Sequence, residues 1–109
     1  MIDSRVEGRV AIEDGAHIQG SVVRGPAIIG TGARIIDAYI GPYTSIGDGV
    51  EVIRSEIEHS IILAGSRVAD LGARMEASLL GRNVKLARGD GVPRTLRMIV
   101  GDNSEIEIP

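Results

Sequence analysis

Residues 40–50 read IGPYTSIGDGV, and within this stretch an aliphatic residue followed by glycine recurs after six positions. The same unit extends in both directions, because aliphatic residues recur from Val6 to Leu63 in repeating steps of 6, 6 and 5. Three steps make one full repeat, and its equivalent positions are Val6, Val23, Ile40 and Ile57. Beyond Leu63 the steps become uneven, and the next aliphatic positions are Val68, Met75, Leu80 and Leu86. A repeat of this length is typical of a solenoid.

A second regularity concerns the residue two positions before each of these aliphatic residues. Fourteen of these fifteen residues are Ala, Ser, Thr or Val, and Ile61 is the exception. Side chains two apart on a β-strand point to the same side. Each unit is therefore predicted to be a short strand that turns one small and one large aliphatic residue inward, while the residue between them faces outward.

Composition excludes several classes of protein. The chain has 109 residues, enough for one domain, and a net charge of −3 with only two aromatic residues, Tyr39 and Tyr43, so a nucleic-acid surface is not expected. It lacks cysteine, and no apolar run approaches the roughly 20 residues of a membrane span. These features predict a cytoplasmic location and no membrane partner.

The repeat resembles the hexapeptide unit of the left-handed parallel β-helix, roughly aliphatic-Gly-x-x-small-x. The resemblance implies an all-β, single-stranded left-handed parallel β-helix of about five coils of ~17 residues, with three strands to a coil. A narrow triangular interior of this kind explains the absence of Phe and Trp. We predict that residues 1–88 form the coils, and that residues 89–109 form an irregular turn, a terminal strand and a last hexapeptide unit as a cap.

Gly15, Gly32 and Gly49 are each one full repeat apart and are predicted to share one corner of the prism. A sharp corner favours a positive φ, which glycine adopts at little cost. Glycine-rich runs can also hold phosphates, but the runs at 30–32 and 47–49 precede no predicted helix. These glycines are therefore interpreted as structural corners, and no cofactor-binding residue is predicted.

The two histidines are the candidates for catalysis. His17 is predicted to face outward in a column with Arg34 and Glu51, and His59 is predicted at a corner. Neither has a predicted chemical partner, and a zinc site like that of the hexapeptide-repeat carbonic anhydrases needs three histidines. No catalytic residue and no metal ligand is therefore predicted, and no small-molecule site is evident.

The outward positions predict an interaction surface. Two faces carry apolar residues, which commonly mark an interface when they cluster. The candidate interface residues are Val22, Tyr39 and Leu79 on one face and Ile28 and Ile62 on a second, where Lys85 is also expected. The repeat is already running at Ser4 and Val6. We therefore expect the first coil to be covered by a second copy of the chain or by a preceding domain.

A closer resemblance is carried by particular stretches of sequence. These are SRVEGRV, RGPAIIGTGARI, AYIGPYTSIGDG, SEIEHSIIL, SLLGRNVKL and LRMIVGDNSEIEI. They resemble the C-terminal β-helix of the long-form glucose-1-phosphate thymidylyltransferases. That family converts dTTP and glucose-1-phosphate to dTDP-glucose and diphosphate, with Mg expected as its cofactor. Its nucleotide, sugar and metal residues lie in a preceding domain, and no position here matches them.

The resemblance implies a non-catalytic assembly or regulatory domain of a sugar-nucleotide-forming enzyme, so that this chain alone is not expected to be an enzyme. The alternative is a small hexapeptide-repeat acyltransferase that acts as a trimer, with His17 or His59 in a groove between subunits. A third possibility is a freestanding scaffold. The sequence also leaves open whether the chain is a natural short protein or part of a longer enzyme.

Overall fold

The computed structural model describes residues 2–88 and 104–106, and within them it contains fifteen short β-strands and no helix. In chain order the strands are β1 (Arg5–Glu7), β2 (Val10–Ile12), β3 (His17–Gln19), β4 (Val22–Arg24), β5 (Ala27–Ile29), β6 (Arg34–Ile36), β7 (Tyr39–Ile40), β8 (Thr44–Ile46), β9 (Glu51–Ile53), β10 (Glu56–Glu58), β11 (Ile61–Ile62), β12 (Arg67–Ala69), β13 (Met75–Glu76), β14 (Leu79–Leu80) and β15 (Lys85–Ala87).

The strands form three parallel sheets of five strands each, and every third strand enters the same sheet. Face 1 has the order β1-β4-β7-β10-β13, face 2 has β2-β5-β8-β11-β14, and face 3 has β3-β6-β9-β12-β15. Three consecutive strands thus make one coil, from coil 1 (β1–β3) to coil 5 (β13–β15). The predicted parallel solenoid of about five coils is confirmed, whereas its left-handed sense stays a prediction.

The core is a stack of aliphatic side chains inside the coils. Ile29 lies in register with Ile46, and Ile46 with Ile62, so that one column of isoleucines runs through coils 2, 3 and 4. Fully buried Ile and Val side chains fill the rest of the interior: Ile18, Val23, Ile35, Ile40, Val50, Val52, Ile57 and Val68. The large and small inward residues predicted for coils 2 and 3 are confirmed.

The small inward residues also join neighbouring coils through hydrogen bonds. The hydroxyl of Ser21 donates to the carbonyl of Gln19 and accepts from the backbone N–H of Ala38 in the next coil, at 2.8 and 3.0 Å. Ser60 repeats the pattern with Glu58 and Ser78 at 2.8 and 3.1 Å. Among the described residues no buried side-chain nitrogen or oxygen lacks a hydrogen-bond partner. A serine at this position is small enough for the interior and satisfies a backbone group near the corner.

The inward position predicted for Leu63 is wrong, because Ile62 occupies it. Ile62 is 0% exposed and pairs with Ile46, whereas Leu63 is 39% exposed. The corner between β10 and β11 is one residue shorter than the corner between β7 and β8. Consequently, the paired residues Ile46 and Ile62 are one residue closer along the chain than the paired residues Ile40 and Ile57. The shorter corner shifts the following strand by one residue, so that the side chains expected to point inward point outward and the reverse.

The corner glycines adopt the predicted conformation. Gly15, Gly32 and Gly49 have φ values of +74°, +68° and +66°. The same corner continues in coils 4 and 5 with Gly65 at +76° and Asn83 at +57°. Asparagine is one of the few other residues that adopt this region readily. The column is therefore defined by the backbone geometry of the corner, and glycine is the commonest residue that fits it.

The predicted cap at 89–109 falls mostly on residues 89–103 and 107–109, which lie outside the described part of the chain. The domain boundary after residue 88 consequently stays a prediction. No helix long and apolar enough to cross a membrane occurs in the described residues.

Candidate functional site: the outward faces of the solenoid

The structure separates the predicted interface residues into three groups. Val22 and Tyr39 lie on face 1 as predicted, and both are partly buried. Ile28 lies on face 2 and is exposed, also as predicted. Ile62 was expected to face outward, and this is wrong because it is a buried core residue. Leu79 is exposed but lies on face 2 rather than face 1.

Face 2 carries a stripe of outward residues without a charged side chain. Its members pair directly with one another along the solenoid: Ala11, Ile28, Ser45, Ile61 and Leu79. We call these five residues the apolar stripe. Ile28, Ile61 and Leu79 are 50%, 48% and 68% exposed. Exposed apolar side chains that are contiguous commonly mark an interaction site.

The apolar stripe is bordered on one side by the corner that leads from face 1 to face 2. Tyr43 lies at this corner in coil 3, is 67% exposed, and contacts the ring of His59 with centroids 5.5 Å apart. A shallow groove runs between this corner and the stripe, and its lining includes Pro26, Tyr43 and Ile61. The aromatic and proline side chains therefore extend the apolar surface of face 2 beyond the strands.

Face 1 carries a different arrangement, centred on Tyr39. The Tyr39 hydroxyl donates to Glu58 Oε2 at 3.0 Å, and the guanidinium of Arg74 lies over the Tyr39 ring at 4.9 Å. Arg74 also pairs with Glu56 at 3.0 Å and Glu58 at 3.3 Å. Arg24 approaches the ring from coil 2, at 5.9 Å. We call Arg24, Tyr39, Glu56, Glu58 and Arg74 the Tyr39 cluster.

The electrostatics of the Tyr39 cluster favour the neutral phenol. Burial raises the pKa of Tyr39 above its ordinary value of 10.0, and the hydrogen bond to the Glu58 carboxylate and its negative charge raise it further. Arg24 and Arg74 act in the opposite direction but are weaker. A neutral phenol at neutral pH is a hydrogen-bond donor, and here it holds Glu58 against face 1. The cluster therefore connects coils 2 to 5 on the surface.

Face 3 is the most polar of the three faces. Its outward column, in register along the solenoid, is His17, Arg34, Glu51, Arg67 and Lys85. Glu51 lies between Arg34 and Arg67 at 3.8 and 3.7 Å. Lys85 was expected on face 2, and its pairing with Arg67 corrects that placement. Partly exposed charges of this kind, with one glutamate shared by two arginines, describe a hydrated surface.

The two histidines are not brought together. His17 is on face 3 of coil 1, where its Nε2 contacts Gln19 Oε1 at 3.1 Å, and His59 is at a corner of coil 4 beside Tyr43. Within residues 2–88 and 104–106, no three His, Asp or Glu side chains are grouped as a metal site would require. The two histidines therefore lie in different coils and on different parts of the surface of the solenoid.

Sequence reasoning missed the Tyr39 cluster and the outward position of Ile61. The signal for Ile61 was present, because it was the one residue that broke the small-residue rule. Pairing Ser60 with Ile62 restores the rule and turns Ile61 outward. The Tyr39 cluster had only a weak signal, since Glu58 is 19 residues from Tyr39 rather than one repeat away.

The fold and these faces define the chain as a parallel β-solenoid with one apolar and two charged outward surfaces. No protein-family model matches the chain. It is 46% identical over 103 residues to a glucose-1-phosphate thymidylyltransferase of Streptomyces antibioticus, and 40% identical over 110 residues to another of Streptomyces griseus. A low-salt glycan biosynthesis nucleotidyltransferase of Haloferax volcanii is 37% identical over 71 residues.

The alignments cover a much larger share of this chain than of its relatives. The two Streptomyces relatives match 94% and 99% of this chain, but the chain spans only 29% and 31% of their length. The archaeal relative matches 64% of the chain and is matched over 20% of its own length. The predicted resemblance is thereby confirmed: this chain is homologous to a C-terminal part of the glucose-1-phosphate thymidylyltransferases that makes up just under a third of each protein.

Proposed function

We propose that this chain is a non-catalytic assembly module of a sugar-1-phosphate nucleotidylyltransferase. One observation supports the proposal above the others: the relatives match nearly the whole chain, yet the chain spans less than a third of them. The remaining two thirds of each relative has room for the chemistry that its name describes. The parent reaction in this proposal is the formation of dTDP-glucose and diphosphate from dTTP and glucose-1-phosphate, with Mg as cofactor.

The outward faces support a role in contact. A solenoid that only filled space would be expected to carry polar residues on every face, whereas the apolar stripe leaves Ile28, Ile61 and Leu79 exposed. In the proposed parent enzyme, these surfaces contact the nucleotidyltransferase domain or another subunit. The module would thereby fix the arrangement of the catalytic domains without contributing a group to the reaction.

The proposal is tested by transplantation into a homologous enzyme. In the Streptomyces antibioticus relative, the segment that matches this chain is deleted or replaced by residues 1–109 of this chain. We expect the deletion to lose assembly and thermal stability, and the replacement to recover both together with thymidylyltransferase activity. A deletion that assembles and turns over like the parent would contradict the proposal.

The chain alone is tested in two assays. We expect no thymidylyltransferase activity with dTTP, glucose-1-phosphate and Mg, and no acetyl transfer from acetyl-CoA. Acetyl-CoA turnover that is lost on His17→Ala or His59→Ala would favour the acyltransferase alternative, and Lys85→Ala serves as a surface control that leaves both histidines in place.

A further inference from the structure

Two corners of the solenoid carry the same dipeptide in different coils. Asp14-Gly15 and Asp48-Gly49 lie in the corner column between face 2 and face 3, in coil 1 and coil 3. All four residues are exposed, and the two glycines have similar φ values of +74° and +66°. The carbonyl of each aspartate accepts a hydrogen bond of 3.0 Å from the next coil. The two corners are therefore a matched pair in sequence, exposure and glycine conformation.

The two corners differ in their contacts with the preceding coil. In coil 3, the Asp48 carboxylate accepts a hydrogen bond from the backbone N–H of Thr31 at 2.9 Å. The backbone N–H of Gly49 donates to the Thr31 carbonyl, also at 2.9 Å. One residue of coil 2 thus holds both groups. In coil 1, no described residue makes an equivalent bond with the Asp14 carboxylate or with the N–H of Gly15.

These are the two groups that react when an Asp-Gly step rearranges. Glycine has no Cβ to hinder the approach of its own backbone nitrogen to the aspartate Cγ. The nitrogen–Cγ bond forms while the nitrogen's proton and the carboxyl hydroxyl leave as water, which closes a succinimide ring. Water then adds at the original main-chain carbonyl and breaks its bond to the glycine nitrogen. The product is isoaspartate, which adds one CH₂ to the main chain and leaves the composition of the protein unchanged.

We propose that Asp14 is a site of spontaneous isoaspartate formation in this chain, and that the backbone of Thr31 protects Asp48 from the same reaction. The reaction needs the glycine nitrogen to turn toward the aspartate Cγ. In coil 3, two hydrogen bonds to Thr31 must break before the nitrogen of Gly49 and the carboxylate can meet. In coil 1, neither group has such a bond to break within the described residues, and local opening is easiest where fewest contacts hold the backbone.

The bonds that close the two turns do not account for a difference in rate. The N–H of Ala16 donates to the Glu13 carbonyl at 3.3 Å, and the N–H of Val50 donates to the Gly47 carbonyl at 3.4 Å. Because the two bonds are similarly long, the turns should open with similar ease. The contacts with coil 2 are consequently the difference that bears on the reaction. Since the reaction uses only groups of this chain and water, it is independent of the proposed assembly role.

The test compares the two corners within one molecule. The folded 109-residue chain is incubated in neutral buffer, and trypsin then releases Asp14 in peptide 10–24 and Asp48 in peptide 35–54. A third Asp-Gly step, at 90–91, lies outside the described residues and is released separately in peptide 89–94. Chromatography and electron-transfer fragmentation distinguish isoaspartate from aspartate. Since it has two hydrogen bonds fewer to break, Asp14 should convert roughly 10-fold faster than Asp48. In urea, where the coils are unfolded, the two should convert at similar rates.

Thr31→Pro isolates the protecting contact. Proline has no N–H, so it removes the hydrogen bond to the Asp48 carboxylate but keeps the carbonyl at this position. The bond of 3.2 Å from the N–H of Ala33 to the Gly30 carbonyl, with a φ of +68° at Gly32, describes a type II turn. Thr31 occupies its second position, which proline favours. Conversion of Asp48 should rise roughly 3- to 10-fold in Thr31→Pro. The matched control Thr31→Ala keeps the N–H and should leave the rate unchanged.

Circular dichroism checks that both variants are folded, and Asp14 should convert at the same rate in each of them as in the unmodified chain. Equal conversion of Asp14 and Asp48 in the folded chain would overturn the proposal. A rate difference that persists in urea would do the same, as would a folded Thr31→Pro variant in which Asp48 stays as slow as in Thr31→Ala. The folded and denatured measurements on the unmodified chain need no substitution, so they decide the proposal if Thr31→Pro does not fold.

Discussion

Coils 1–3 and coils 4–5 are built on the same three sheets but differ at their corners. In coils 1–3 every pairing joins residues one regular repeat apart, as in Val6–Val23 and Val23–Ile40. Between coils 3 and 4 this separation is kept on face 1 and is one residue shorter on faces 2 and 3. Between coils 4 and 5 it is one residue longer than the regular repeat on all three faces. The strands stay in register across both changes, so the corners absorb the whole difference.

The physical reason lies in what each part of the coil must do. An inward side chain must stack on the side chains above and below it, and a one-residue slip would turn it to solvent. A corner needs only to reverse the chain and to satisfy its backbone groups. The chain from the inward Val68 of β12 to the inward Met75 of β13 can therefore be two residues longer than the chain from Val52 to Ile57, while Met75 still lies in register with Ile57. Inward positions must therefore keep their register, whereas corners can vary in length.

The largest expected effect comes from overfilling the interior of coils 1–3, which we call the regular coils, in contrast to the irregular coils 4 and 5. Ala33 is fully buried in coil 2. Ala33→Phe should cost more than the roughly 1–3 kcal/mol that is typical of an overpacked core, because an aromatic ring adds far more volume than a methylene and the narrow interior cannot widen around it. The matched control is Ala64→Phe at an exposed corner of coil 4. Urea unfolding measures both, and equal midpoints would show that Ala33 does not face a closed interior.

A second comparison tests the shifted register. Ile46→Ala in the regular coils and Ile62→Ala in the irregular ones should each cost about 2–5 kcal/mol, because both side chains are fully buried. Leu63→Ala should cost only about 1 kcal/mol, since much of that side chain is already exposed. The free energies of unfolding decide between the two registers. A larger loss at Leu63 than at Ile62 would restore the register expected from uniform spacing.

The same pair of residues shows how far the sequence could predict the fold. The repeating strands and the corner glycines followed from spacing, because inward positions recur regularly, and three strands to a coil followed from the resemblance. Ile62 and Leu63 could not be separated by hydrophobicity, since both are large aliphatic residues. The small residue two positions earlier distinguishes them, because Ser60 is buried and Ile61 is exposed. Short corners of variable length remain the part that periodicity does not determine.

A smaller effect is expected at the corner column shared by both regions. Gly32 has a φ of +68°, and open space surrounds the position where a Cβ would lie, so a substitution there tests backbone strain alone. Gly32→Val should cost about 1–3 kcal/mol. Gly32→Asn should cost clearly less, because Asn83 already occupies the equivalent corner of coil 5. Equal unfolding temperatures for the two variants would show that the corner has relaxed to another conformation.

The outward faces were predicted less completely than the core. Val22, Tyr39 and Ile28 were placed correctly from the alternation of inward and outward residues in the regular coils. Ile62 was misplaced because the corner before it is one residue shorter than expected, whereas Leu79 and Lys85 were assigned to the wrong face in the part of the chain where the repeat becomes uneven. The Tyr39 cluster joins residues of different columns, and contacts between long side chains across columns are set by rotamers rather than by spacing. Periodicity therefore predicts where a residue points, but not what its side chain reaches.

The smallest effect concerns the Tyr39 cluster, which joins the regular coils to the irregular ones. The pKa of Tyr39 is raised above 10.0, first by burial and then by Glu58. A raised pKa means that folding favours the protonated phenol, so the stabilisation is complete below pH 10 and is lost as the pH rises through the folded pKa. In a Tyr43→Phe background, where Tyr39 is the only tyrosine, tyrosinate absorbance should therefore titrate above pH 10.

Adding Glu58→Gln to that background separates the causes of the shift. Because burial raises the pKa as well as Glu58, the pKa of Tyr39 should fall only part of the way towards its ordinary value. A complete return would show that the carboxylate, rather than burial, holds the phenol neutral. Absence of any change would show that Tyr39 and Glu58 do not meet in solution. The regular and irregular coils would then be joined by their strands and serine hydroxyls, without a surface link at Tyr39.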